Sequence, residues 1–230
     1  MLESRPQMEI LLSIVGGGLI TIATAIFIEW LRKPRLVLRI ETPELDLPKN
    51  APPQRRHLRL VLKNKPLIPG FRWMQRSAAL QCRGTITFHN KDGQDVFGKA
   101  MAVRWASSPE AINLGGQIVD LQQPAQLVYR IVNVTGMESR IDVYPGEEET
   151  LDVAVRFNGE PECYGWNNES YFNNWRTPDW KLDRGTYLVR VVIASSGNKF
   201  VGRFRLMNEA DPLTAFHLTK LSRKERKKLK

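Results

Sequence analysis

Residues 79–88 read ALQCRGTITF. Leu80, Cys82, Gly84, Ile86 and Phe88 occupy every second position, with Gln81, Arg83, Thr85 and Thr87 between them. Successive side chains of an extended chain point to opposite faces, so this alternation predicts a strand with one face in a core. The same pattern extends outward in both directions. Leu58, Leu60 and Leu62 share one face of HLRLVLK. Leu151, Val153, Val155 and Phe157 alternate with Asp152, Ala154 and Arg156, and Tyr187, Val189, Val191 and Ile193 alternate with Leu188, Arg190 and Val192. RLVLRIE from Arg35, KAMAVRWA from Lys99, AQLVYRIV from Ala125, RIDVY from Arg140 and KFVGRFRL from Lys199 bring the total to about nine strands. Lys91-Asp92-Gly93 and Ser196-Gly197-Asn198 supply the positive φ of hairpin turns. No long amphipathic helix interrupts this region, so an all-β antiparallel sandwich with one core is expected over residues 55–210.

The chain before it reads differently. Ile10 to Ile28, ILLSIVGGGLITIATAIFI, holds 19 residues without a charge, a helix of about 28 Å at about 1.5 Å per residue, close to the thickness of a bilayer's hydrocarbon. A transmembrane helix is therefore expected over 10–31, after a short segment 1–9, with Trp30 at the interface. Ala23-Thr24-Ala25 has the small-x-small form of a signal cleavage site, but Glu3 and Glu9 oppose Arg5 ahead of it and Ile26, Phe27 and Ile28 follow it. An uncleaved anchor fits better. Ser13, Gly17, Thr21 and Ala25 recur every four residues as a small stripe on which two such helices can pack, giving a homodimer.

The net charge is +10. Arg32, Lys33, Arg35 and Arg39 supply four positive charges, and the tail supplies seven through Lys220, Arg223, Lys224, Arg226, Lys227, Lys228 and Lys230 against Glu225; everything else cancels. A neutral body with two basic ends argues against a broad nucleic-acid face, leaving the tail alone for phosphates or an anionic leaflet. One basic residue precedes the apolar run and four follow it closely, so the body is expected on the cytoplasmic side, past a basic juxtamembrane strand and linker at 32–54. That placement predicts reduced thiols at Cys82 and Cys163 and unused sequons at Asn133 and Asn168.

LRLVLKN, ALQCRGTITFHNKDG, YPGEEETLDVAVRF and DRGTYLVRVVI together resemble the Ig-like sandwiches of prokaryotes, of the fibronectin-III-like and cell-adhesion-related type. In those, a Pro-Gly turn introduces a strand, here Pro145-Gly146, and a Gly-x-Tyr opens a late one, here Gly185-Thr186-Tyr187. The resemblance spans roughly residues 55–209 and extends to single-pass membrane proteins. It implies a fold and no activity.

His57, His89 and His217 stand isolated, with no Ser elbow, metal spacing or phosphate loop, so neither an enzyme nor a metal or cofactor is expected. Asn90, Asp92 and Asp95 around Gly93 lack the remaining ligands of a calcium loop and read as a hairpin tip. Glu147, Glu148 and Glu149 read as a solvated loop. The densest feature is CYGWNNESYFNNWRTPDW, where Tyr164, Trp166, Tyr171, Trp175 and Trp180 accompany Asn167 and Asn168. Aromatic platforms beside amides suit a carbohydrate or protein ligand, and equally a lid over one end of the sandwich. The reading that follows is a non-enzymatic interaction protein anchored in the bilayer and presenting its domain to a protein partner on the cytoplasmic face. Two alternatives are an extracytoplasmic adhesion or carbohydrate-binding module, which a Cys82 to Cys163 disulfide favours, and the anchor subunit of a larger membrane complex.

Overall fold

A computed structural model of the chain describes residues 4–41, 55–67, 70, 74–108, 140–171, 175–196, 198–209 and 212–229. The strand expected from Ala125, the sequon at Asn133, Gly197 and Lys230 lie outside them, as does the side chain of Ser13. Helix α1, Ser4–Arg32, has 29 residues and is long and apolar enough to cross a membrane. Val15, Leu19, Ile20, Ile22, Ile26, Phe27 and Trp30 all stand exposed on it, so no single side is turned to the body. The Thr21 and Thr24 hydroxyls donate to the carbonyls of Gly17 and Ile20 at 2.8 Å, and their polarity is thereby absorbed within the helix.

Two antiparallel sheets face each other. The first is ordered β1 (Leu36–Ile40), β2 (Arg55–Asn64), β7 (Glu148–Phe157), β8 (Cys163–Gly165) and β9 (Lys181–Leu182), with β5 (Arg104–Trp105) also on β7. The second is ordered β12 (His217–Lys220), β11 (Asn198–Asn208), β10 (Gly185–Ser195), β3 (Ala79–His89) and β4 (Met101–Ala102), with β6 (Ile141–Val143) also on β3. Leu60, Leu62, Cys82, Ile86, Phe88, Trp105, Leu151, Val153, Val191, Ile193 and Leu206 fill the space between them, fully buried. KAMAVRWA is two strands: β4 and β5 lie in different sheets, separated by Val103, whose N–H donates to Gly84 O at 2.9 Å. A Cβ on Gly84 would lie 2.6 Å from Val103 Cγ2, so glycine is what allows the chain to cross there.

Two bulges alter the alternation read from sequence. Ala79 pairs with Val143 and Cys82 with Ile141, three steps against two, with Gln81 at φ 51° and its N–H bonded to Asp142 Oδ1 at 2.7 Å. The extra residue turns Ala79 inward and leaves Leu80 43% exposed, off the face it was expected to share with Cys82. On β7, Leu58 pairs with Ala154 but Arg59 with Asp152, so Val153 is the extra residue. Leu151, Val153 and Ala154 enter the main core, Val155 turns to the outer face, and Arg156 faces inward. There Arg156 Nη1 donates to Asn208 Oδ1 at 3.0 Å, and its guanidinium lies 5.7 Å from the Phe216 ring centroid.

The turn at Lys91-Asp92-Gly93 has the expected positive φ, 90° at Gly93, and is built by Asn90 Oδ1 accepting from the N–H groups of Asp92 and Gln94. Asp95 Oδ1 accepts from Phe97 and Gly98 N–H, so these carboxamide and carboxylate groups shape a loop. Glu147 accepts from Tyr144 N–H, Glu148 pairs with Arg39 and Lys63, and Glu149 accepts from Ser107. Cys82 and Cys163 are free thiols and wholly buried. Burial pushes Cys82 up to about 11 and raises Cys163 as well.

The sheet also continues past residue 210. His217–Lys220 pairs with β11, and Ser222 caps the short helix α2 (Arg223–Arg226) with Glu225 in a reciprocal capping box. Glu225 also receives Arg205, and the Ser222 hydroxyl and that guanidinium hold its carboxylate down to about 2. Leu221 and Leu229 cover Leu188 on the outer face of the second sheet. Arg203 Nε donates to Leu229 O at 3.0 Å, and Lys228 Nζ to Lys91 O at 2.6 Å. The tail is thus folded onto the body, with Lys220, Arg223, Lys224, Arg226, Lys227 and Lys228 exposed along it.

Candidate binding site

After β7 the chain turns back through β8, and residues 166–171 together with Trp175 lie over the outer face of the first sheet rather than across an end of the sandwich. Val155, brought outward by the bulge, forms the floor with Tyr164 and Trp166, and Phe157, Tyr171 and Trp175 pack on them. The turn at Asn168–Tyr171 is set by two short side chains: Ser170 N–H donates to Asn167 Oδ1 at 3.3 Å and Asn167 N–H to Ser170 Oγ at 3.2 Å. Glu169 Oε2 accepts from Asn167 Nδ2 at 3.2 Å and from Trp180 Nε1 at 3.0 Å, tying this turn to the one at Pro178–Trp180.

The rings stack in sequence. Trp175 lies on Trp166 with centroids 4.8 Å apart and planes 15° from parallel; Tyr171 tilts onto Trp175 at 4.7 Å; His57 meets the edge of Trp166 at 4.8 Å. Arg55 lies over Trp175 at 5.1 Å and Arg104 over Tyr171 at 5.0 Å, both within range of a cation–π attraction. Beneath them Asp152, 1% exposed, accepts from Arg59 Nε at 2.8 Å and Arg104 Nη1 at 2.7 Å. Desolvation pushes the His57 imidazole down to about 4; Asp152 opposes the shift, while Arg59, Arg55 and Arg104 add to it. Trp175 is held at φ 68°, a left-handed conformation that costs a bulky L-residue about 1–2 kcal/mol. Its N–H donates to Ser170 O at 2.8 Å, and the stack on Trp166 offsets the strain.

The residues singled out by sequence therefore separate into two groups. Tyr164, Trp166 (2% exposed), Asn167 and Trp180 are buried, and Trp180 belongs to the core between the sheets beside Phe97. Tyr171, Trp175 and Asn168 are half-buried and can touch a ligand. Arg55, His57, Arg104 and Asp152 come from β2, β5 and β7, far away in sequence, and no local motif marks them. The outer-face period of β2, with Arg55, His57 and Arg59 on alternate positions, is the signal that could have found them.

A second depression, a cavity of about 240 Å³, opens between the two sheets and is lined by Ile40, Glu41, Arg56, Arg59, His217 and Leu218. Arg56 Nη1 donates across it to Leu213 O at 3.1 Å. Among the described residues, no three His, Cys, Asp or Glu side chains gather as metal ligands. Comparison with known proteins finds no matching family model, no matching curated protein and no matching solved structure.

Proposed function

We propose that this chain is a single-pass, non-enzymatic interaction protein in which α1 spans the bilayer and an Ig-like domain faces the cytoplasm. The observation that carries the reading is α1 itself: seven large apolar side chains exposed around one helix have no cover in the body, and a bilayer supplies it. The strand orders support the Ig-like reading. β1-β2-β7-β5 and β11-β10-β3-β4 correspond to the A-B-E-D and G-F-C-C′ sheets of that fold, with β6, β8, β9 and β12 as additions. Two unpaired thiols fit a reducing compartment.

The partner surface in this reading is the half-exposed part of the aromatic flap, Tyr171 and Trp175 with the exposed Arg55 beside them, while the buried Arg104 supports Tyr171 from beneath. Large rigid rings next to guanidinium groups are the usual anchors of a protein interface. Extraction tests the anchor: the full chain stays in the membrane pellet in alkaline carbonate, and its release into the supernatant would refute the reading. A photo-crosslinking residue in place of Trp175 tests the surface. It yields a discrete protein adduct that a crosslinker in place of Asp92 does not; identical adduct patterns from both positions count against the flap.

A further inference from the structure

We infer that the end of the sandwich from which α1 emerges docks on the anionic lipid headgroups of the leaflet, through Lys33, Arg35 and Lys65 with Leu80 and Tyr144. This rests on α1 spanning the bilayer. Its geometrical basis is the absence of slack between helix and body. Ser77 N–H donates to Arg32 O at 2.7 Å, Arg76 Nη1 to Lys33 O at 2.6 Å, and Lys65 N–H to Arg35 O at 3.0 Å. Asn64, fully buried, gathers the same elements: it accepts from Arg35 N–H and donates to Ser77 O and Val143 O, each at 3.1 Å. A helix held this way brings one end of the sandwich against the leaflet. That end comprises the α1 to β1 junction, the exit of β2, the entry of β3, the Pro145-Gly146 turn and the tip between β10 and β11.

The chemistry of that end suits headgroups. Arg32, Lys33, Arg35 and Lys65 are exposed or nearly so and have no acidic partner among the described residues. The carboxylates nearby among the described residues are hydrogen-bonded or paired, Asp142 with Gln81 N–H, Glu147 with Tyr144 N–H, Glu148 with Arg39 and Lys63, and Glu149 with the Ser107 hydroxyl, while Glu29 stands on the last turns of α1. Outside α1, three large apolar side chains are exposed among the described residues, Leu80, Val96 and Tyr144. Two of them sit here: Tyr144, 53% exposed, precedes the Pro145-Gly146 turn, and the Leu80 carbonyl accepts from Ser196 at the β10 to β11 tip. An amphipathic ring beside lysines and arginines is the composition of an interfacial anchor. The basic tail is at the other end, where Lys228 reaches Lys91, so it does not take part.

The test uses the full chain in vesicles of phosphatidylcholine alone, or of equal parts phosphatidylcholine and phosphatidylserine, with a fluorophore on Ser196→Cys or on Asp92→Cys. The buried native thiols stay unlabelled. Nitroxide lipids quench the label at position 196 more in the anionic vesicles and leave the label at 92 unaffected. Lys33→Gln/Arg35→Gln/Lys65→Gln removes the anionic increment, a loss of roughly a hundredfold in the docking equilibrium at about fivefold per charge. The latch bonds of all three residues are made by backbone atoms, so the triple variant keeps its fold, which unchanged tryptophan fluorescence verifies. Equal quenching in both vesicles, equal quenching at 92, or an increment that survives the triple variant overturns the docking. Failure of the chain to float with the vesicles overturns the anchor itself, and is distinguished by that readout.

Discussion

Trp166 and Trp175 are nine residues apart in sequence and stacked in space, yet they do different things. Trp166 is sealed against Val155 and His57, so Trp166→Ala opens a cavity and costs about 3–5 kcal/mol in chemical denaturation. Trp175 is half-exposed, so Trp175→Ala, which keeps the left-handed backbone but gives up less buried surface, costs about 1–2 kcal/mol while removing the ring that a partner would meet. A loss as large as that at Trp166 would make the flap purely structural. Asp152→Ala leaves Arg104 buried without its counter-charge and destabilises by about 3–5 kcal/mol, a loss that Arg59→Ala, exposed on one side, does not match. His57 gives the flap a pH dependence. The unfolded imidazole takes a proton below about 6.5 and the folded one only below about 4, so in that window the unfolded chain binds more protons. Stability is therefore unaffected above the window, falls as the pH is lowered through it, and loses at most about 3 kcal/mol in all. The difference between wild type and His57→Phe in urea midpoints isolates this slope from that of the carboxylates; parallel profiles would show that the imidazole is not desolvated as described.

At the scale of elements, alternation in the sequence located β2, β3, β7, β10 and β11 well, because each has one face in a single core. It failed where a bulge inserts one residue. Alternation assigns Leu80 and Val155 to the wrong face because nothing in the sequence marks Gln81 or Val153 as extra; the irregularities show only in the pairing with β6 and β2. KAMAVRWA gave no sign that it changes sheets at Val103, which depends on Gly84 in a distant strand. The flap was legible as an aromatic cluster but not as a cover for the outer sheet face, since its floor exists only after the β7 bulge. The tail is legible in the sequence as charge alone, because its two buried leucines, Leu221 and Leu229, find their partner only in β10, at Leu188. Gly93→Ala tests the tail's docking: a Cβ there falls 2.6 Å from Lys228 O, at a φ that already disfavours it. The variant loses about 1–2 kcal/mol and speeds amide exchange at residues 222–229; unchanged exchange would mean that the tail does not rest on this turn.

For the whole molecule, two buried asparagines hold opposite ends together. Asn208 joins β11 to the chain at Pro161 and Asp183 and to Arg156, and Asn64 joins the α1 to β1 junction to the approach to β3 and the end of β6. Asn64 ties the body to the end of its helix, and in the proposed membrane-anchored arrangement the far end, with the hairpin at Lys91-Gly93 and the tail, is directed away from the bilayer. Sidedness is therefore the property on which the account depends, and it can be read with one pair of cysteines. Glu3→Cys lies before α1 and Asp92→Cys on the exposed far hairpin, while Cys82 and Cys163 are buried and silent. With a membrane-impermeant thiol reagent on intact cells, the account predicts labelling at position 3 and none at 92 until the membrane is opened. Labelling of position 92 in intact cells, or equal behaviour of the two positions, would contradict it.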